Sequence, residues 1–397
     1  MIRREEYLEK LIAFKDKHLI KVITGIRRCG KSTLFELFQD YLTKNGVSSK
    51  QIISINFEDA DFDNLTDYKE LYKYLKSKLI PDKQTYIFLD EIQNVKNFQK
   101  VVDSLYIKKN VDLYITGSNA YFLSGELATL LSGRYVEIKM LPLSFKEYLS
   151  TFEDKTDLTR KFRTYMENGA FPYILELNNN KRLINDYLGG IYNTVILKDV
   201  VARKKISDVL MLESIIKFMF DNIGNITSIK KISDTMTSAG RKISSPTVEN
   251  YLSALIDSFI LYKVNRYDIA GKQYLKTAEK YYVADLGLKQ FLLGAQRTNY
   301  GHSLENIVYL ELLRRNYQVF IGKVGNTEID FIATKDGQTQ YYQVSQTVLD
   351  ETTLTRELKP LQTIKDYNEK ILLTMDDVPS TSHNGIKQIN IIDWLLS

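Results

Sequence analysis

The first ~150 residues alternate short apolar runs with amphipathic stretches, the pattern of an α/β sheet domain. Leu19–Thr24 reads as a buried strand, and Lys31–Leu42 as a helix with Leu34, Leu37, Phe38 and Tyr41 on one face. Strands follow at Gln51–Phe57, Thr85–Leu89, Val111–Thr116 and Val136–Leu141, the last closed by Pro142. Asp67–Leu79 supplies a further helix between them.

From Ser144 to Val201 the spacing is helical, interrupted at Gly169-Ala170-Phe171-Pro172. Asp208–Phe220, Ile229–Ser238 and Pro246–Phe259 predict three more helices. Two β-rich pieces, Ile260–Asn265 and Tyr281–Val283, flank the turn Asp268-Ile269-Ala270-Gly271-Lys272. Three helices and then a hairpin is the order of a winged helix. The last part opens with a helix, Ser303–Asn316, and continues with strands Val319–Gly322, Glu328–Thr334 and Gln340–Thr347. Asp336-Gly337 predicts a hairpin turn. A final helix and the strand Lys370–Leu373 complete an α/β module. There is no internal repeat.

Against this frame one loop carries chemistry. Gly25-Ile26-Arg27-Arg28-Cys29-Gly30-Lys31-Ser32 fits G-x-x-x-x-G-K-[ST] and lies between a strand and a helix. Glycines let the backbone wrap phosphates closely, and the N–H groups from Ile26 to Ser32, with Thr33 behind them, point at phosphate oxygens. Lys31 reaches the β and γ phosphates of a nucleoside triphosphate, and Ser32 ligates Mg²⁺. The expected cofactors are therefore ATP and Mg²⁺. The strand Tyr86–Leu89 ends in Asp90-Glu91, about 60 residues on, where a parallel sheet brings both signals to one edge. Asp90 is expected to hold the metal, and Glu91 to act as general base on the attacking water. Thr116-Gly117-Ser118-Asn119 ends a neighbouring strand. Its Ser118 and Asn119 are candidates to touch the γ-phosphate or orient water, or simply to cap a turn. Ser132-Gly133-Arg134 offers an arginine finger, in the same subunit or across an interface, or a plain salt bridge.

Composition changes little. The 397 residues suggest about two to four domains. They are 44% hydrophobic and 26% charged, which excludes a disordered or fibrous chain. A net charge of +5 is too small to establish a nucleic-acid partner. Cys29 is the single cysteine, so no internal disulfide forms and a reducing compartment is expected. Acidic residues at the N-terminus and the lack of a long apolar run predict a cytoplasmic protein with no membrane partner.

The phosphate loop, Leu89-Asp90-Glu91-Ile92-Gln93, Thr116-Gly117-Ser118, and Ser132-Gly133-Arg134 with Leu141-Pro142-Leu143-Ser144-Phe145 together resemble one family. It is the AAA+-type prokaryotic ATPases that carry a C-terminal domain of unknown function. The resemblance covers nearly the whole chain. It implies an α/β protein with a parallel-sheet P-loop NTPase core (residues 1–145) and a helical lid or linker (146–204). A winged helix similar to that of archaeal and origin-recognition ATPases (205–290) and a restriction-endonuclease-like module (291–397) would follow. Nucleases of that last fold use two acids and a Glu-x-Lys triplet. Glu305 and Asp330 match the acids, but the triplet is Gln343-Val344-Ser345. Without the anionic ligand and the lysine, a nuclease-type fold without catalysis is expected. The helix Pro246–Phe259 carries Glu249 and Asp257 and no cation, so base readout is not evident. Lys230, Lys231, Arg241 and Lys242 before it, and Lys263, Arg266, Lys272 and Lys276 after it, suit phosphate contacts with double-stranded DNA. A protein partner or a second copy of the chain is the alternative. The reading is an ATPase whose nucleotide state drives a conformational change, associated with DNA or else acting as a slow protein switch.

Overall fold

A computed structural model describes residues 2–119, 131, 133–194, 200–201, 206–269, 271, 273–294 and 299–397. Ser132 and Lys272 lie outside these residues, as does the side chain of Lys276. The chain forms two compact units, Met1–Pro142 with Asp257–Phe259, and Leu143–Ile256 with Ile260–Ser397.

The first unit runs α1 (Glu5–Ala13), β1 (Ile20–Thr24), α2 (Lys31–Lys44), β2 (Ile52–Asn56), α3 (Tyr68–Lys78), β3 (Thr85–Asp90), α4 (Phe98–Tyr106), β4 (Val111–Gly117) and β5 (Tyr135–Lys139). Its sheet is ordered β2-β3-β4-β1-β5, and every pairing is parallel. β1, β3 and β4 are buried along their whole length, as expected of central parallel strands covered on both faces. β4 separates β1 from β3, so the carboxyl ends of all three stand side by side. The buried face of α2 is Leu34, Phe35, Phe38 and Leu42, rather than the Leu37 and Tyr41 expected from spacing alone. Phe35 and Phe38 meet Phe88 edge-on, which turns the helix toward that ring.

The second unit begins with helices α5 (Phe145–Leu149), α6 (Leu158–Asn168), α7 (Lys181–Ile191), α8 (Val209–Asp221), α9 (Ile229–Ser238) and α10 (Ser245–Asp257). Strands β6 (Leu261–Asp268) and β7 (Gln273–Val283) lead to α11 (Leu286–Leu293) and α12 (Tyr300–Arg314). β8 (Gln318–Val324), β9 (Thr327–Lys335), β10 (Gln338–Val344), α13 (Glu351–Thr363), β11 (Glu369–Thr374), β12 (Thr381–His383), β13 (Ile386–Asn390) and α14 (Ile391–Leu396) complete it. The eight strands form one mixed sheet, β12-β13-β11-β10-β9-β8-β6-β7. The hairpin expected as the wing lies at the edge of this sheet: Arg266–Asp268 pair in parallel with Ile321–Lys323.

The interruption at Gly169–Pro172 has a defined cause. Gly169 adopts φ +90°, where a Cβ would strike the Asp285 carboxylate. Asp285 accepts the Ala170 N–H at 2.5 Å and caps α11 through the Leu288 N–H at 3.0 Å. Burial pushes its pKa up to about 6, although these N–H groups pull it down.

Candidate nucleotide site

β1 delivers the chain into Gly25–Gly30, and α2 starts at Lys31. A Cβ on Gly25 would collide with the Met140 carbonyl, and Gly30 stands in left-handed backbone at φ +101°, which favours glycine. Ile26 and Cys29 turn inward and are fully buried, and burial raises the Cys29 thiol's pKa. Arg28 also has positive φ, +69°. Arg27 forms an ion pair with Glu58, just past β2. Thr33 lies in the first turn of α2, behind Ser32.

The side chains of greatest interest converge at the carboxyl edge. Lys31 Nζ lies 3.2 Å from the Gly25 carbonyl and 3.4 Å from Glu91 Oε1. Both are almost wholly buried. Burial opposes ionisation of Glu91, but Lys31, with Gln93 and Ser118, outweighs it and holds the carboxyl below its usual pKa. Glu91 sits in left-handed backbone (φ +52°), and its N–H donates to Thr116 Oγ1 at 2.9 Å. That hydroxyl donates to Asp90. Burial raises the Asp90 pKa, while hydrogen bonds with Ser32 and Thr116 hold it down. Ser118 and Asn119, both buried, follow β4 at the same edge. Gln93 Nε2 donates to Glu91 and reaches Ser118 at 3.4 Å, and the buried Gln93 Oε1 has no hydrogen-bond partner among the described residues.

Arg134 makes the salt bridge that was the alternative to a finger. It precedes β5, whose Tyr135 pairs with Ile20 at the start of β1, whereas the phosphate loop follows the end of β1. About 13 Å of strand separates them. Arg134 Nη1 pairs instead with Asp103 of α4 at 2.5 Å, and its carbonyl accepts the Ile20 N–H. It does not complete the site of its own chain, and an action across an interface would first have to open the Asp103 pair.

Arg4, which nothing in the local sequence singles out, also reaches the phosphate loop. This buried arginine donates to the Cys29 carbonyl at 2.8 Å and the Leu141 carbonyl at 2.7 Å, tying the phosphate loop to the segment after β5. Its guanidinium covers the Tyr7 ring, whose hydroxyl accepts the Leu141 N–H. The available hint was Tyr7 and Leu11, four apart on one face of the following helix, both of which are buried.

In the second unit Glu305 and Asp330 do approach one another, but around a cation that the sequence reading did not assign. Lys280 of β7 lies 2.7 Å from Glu328, 3.3 Å from Glu305 and 3.9 Å from Asp330. Alternation with buried Tyr282 was the available signal that Lys280 points inward. Gln343 donates to Glu357 at 3.0 Å, and Ser345 to the Thr347 carbonyl. Among the described residues no group of three or more His, Cys, Asp or Glu side chains is arranged to hold a metal ion. Among them, too, no helix is long and apolar enough to cross a membrane.

The loop between β1 and α2, with acids at the end of β3, defines a P-loop ATPase domain. Residues 17–149 match the family described as "AAA domain", and residues 159–299 one described as "Domain of unknown function (DUF8612)". An uncharacterized protein of Haemophilus influenzae is 42% identical over 400 residues, covering 100% of this chain and 99% of its own. Uncharacterized protein MJ1544 of Methanocaldococcus jannaschii is 34% identical over 399 residues, covering 94% and 85%. The Walker-type ATPase PABY2304 of Pyrococcus abyssi superposes with a TM-score of 0.53 at 15% identity, over 74% of this chain and 96% of that one, and shares the fold. The chain belongs to one family with the Haemophilus and Methanocaldococcus proteins, built on an AAA-type P-loop ATPase domain.

Proposed function

We propose that the protein hydrolyses ATP with Mg²⁺ and uses the nucleotide state to change conformation. The observation that carries this is the Lys31–Glu91 contact at 3.4 Å next to Asp90, which accepts the Thr116 hydroxyl. Two hard oxygen donors, the Ser32 hydroxyl and the Asp90 carboxylate, suit an octahedral cation. They are the residues that would hold Mg²⁺, which when bound neutralises charge on the β and γ phosphates. Arriving phosphates would compete with Glu91 for Lys31. Its charge would then stabilise the transferring phosphoryl group, and Glu91, relieved of its cation, would become a better base for the attacking water. Gln93 and Thr116 fix the orientation of Glu91. Asn119 is placed to meet the γ-phosphate or that water. Lys31→Ala should abolish nucleotide binding, and Glu91→Gln should retain binding while stopping turnover. A Glu91→Gln protein that hydrolyses ATP at the parent rate would overturn the base assignment.

We assign the second unit to double-stranded DNA. Lys230, Lys231, Arg241 and Lys242 are exposed on and after α9, where they can neutralise phosphates. The second reading, a protein partner, rests on α10, whose charged residues are the acids Glu249 and Asp257. DNA binding that weakens steeply with salt and responds to ATP supports the first reading; no binding at low salt leaves the second. Lys280 among Glu305, Glu328 and Asp330 supports the expectation that this unit does not cleave DNA, since the lysine charge stands where a metal would be needed.

A further inference from the structure

The second unit contains a cavity of about 660 Å³ that plays no part in the nucleotide chemistry. Strands β10 and β11 run parallel, and Gln346 and Met375, just past their carboxyl ends, line it. That edge of a parallel pair is the usual place for a ligand in an open α/β sheet. Arg163, Lys181 and Tyr300 form other parts of the wall. Lys289 of α11 also lines the cavity, although the residue is only 4% exposed.

Among the described residues Lys289 makes no hydrogen bond or ion pair. Burial lowers its pKa to about 8, and the nearby charge of Asp221 recovers only part of the loss. A largely buried ammonium group at a cavity wall, with no carboxylate in contact among the described residues, is unfavourable unless an anion enters. The two carboxylates in the wall are otherwise engaged. Glu167 is within 4.0 Å of Lys181, and Asp376 accepts the Val348 N–H at 2.8 Å. A volume of this size suits a molecule no larger than a mononucleotide. Met166, Leu286 and Met375 offer it apolar contact.

We propose that this cavity binds a small organic anion, with its phosphate or carboxylate group paired to Lys289 and Arg163. Arg163 supplies a planar donor fork at the wall, and Lys289 a point charge inside it.

The test uses the full chain carrying Lys31→Ala, so that the phosphate loop takes up none of the probes. Lysines are pulsed with a limiting amine-acylating reagent, and modified peptides are quantified by mass spectrometry. Inorganic phosphate, AMP and citrate are compared with chloride at equal ionic strength. At ten times Kd, occupancy slows Lys289 labelling about tenfold, while exposed Lys335 is labelled as before. Protection by phosphate and AMP identifies a phosphate group; protection by citrate alone identifies a carboxylate. Calorimetry of the protecting anion should then show binding lost in Lys289→Met and weakened in Arg163→Ala. Undiminished labelling with all three probes overturns the proposal, as does undiminished affinity in Lys289→Met.

Discussion

Replacing Arg4 by methionine keeps most of the side chain's volume and removes its charge. The guanidinium makes two hydrogen bonds to main-chain carbonyls, Cys29 at 2.8 Å and Leu141 at 2.7 Å. Hydrogen bonds from a charged donor contribute about 1.5–3 kcal/mol each. Relief of the buried charge offsets part of that sum, because desolvating a guanidinium costs several kcal/mol. A net destabilisation of about 3 kcal/mol of the first unit is expected, within the range for breaking a buried charged network. The loop carbonyl is the functional half of the contact. If about 1.4 kcal/mol of the loss appears as disorder of the loop before binding, nucleotide affinity falls about tenfold. The single tryptophan, Trp394, belongs to the other unit, so its fluorescence does not report this loss. Proteolytic susceptibility of the first unit in urea, and titration with a fluorescent ATP analogue, do. An Arg4→Met protein whose first unit is as stable as the parent, to about 0.5 kcal/mol, and whose Kd is unchanged would refute the clamp.

Three further outcomes are expected. Gln93→Ala frees the Glu91 carboxylate, so kcat should drop while nucleotide affinity stays near the parent value; steady-state kinetics separate the two. Lys21 and Asp112 form a fully buried ion pair that also accepts the Tyr114 hydroxyl; Lys21→Met should cost about 3–5 kcal/mol, and adding Asp112→Asn should recover part of it in denaturant titrations. Asp285 binds its proton more tightly in the folded chain, with a pKa of about 6 against 3.8. Its contribution is therefore full below about pH 4 and lost as pH rises through 6, at most about 3 kcal/mol; Asp285→Asn should flatten that slope in unfolding measured across this window.

The candidate site could be drawn from the sequence because its parts are local. A glycine-bounded loop, an apolar strand and two acids announce themselves within a few residues, and parallel pairing then fixes their common edge. Strand limits were read nearly as they stand, Leu19–Thr24 against Ile20–Thr24. What escaped depends on long-range partners. Arg4 acts on a carbonyl 137 positions away. Arg134 was correctly read in a loop before a strand, but the choice between a finger and a salt bridge turns on Asp103, 31 positions away, which the local sequence does not point to. Lys280 was missed because alternation shows that a residue faces inward, not which acids await it. The hairpin of β6 and β7 was recognised, yet nothing in its alternation names β8 as the next strand.

That last pairing bears on how the chain can be divided. A fragment ending at residue 290 would keep β6 but lose β8, leaving the Arg266–Asp268 backbone without its neighbour. A fragment starting at 291 would expose the complementary edge at Ile321–Lys323. Unpaired edges of this kind recruit strands from other molecules. The helices after Leu143 and the C-terminal strands should therefore be expressed, mutated and melted as a single cooperative body, and apparent oligomers of either fragment should be suspected of edge-to-edge association.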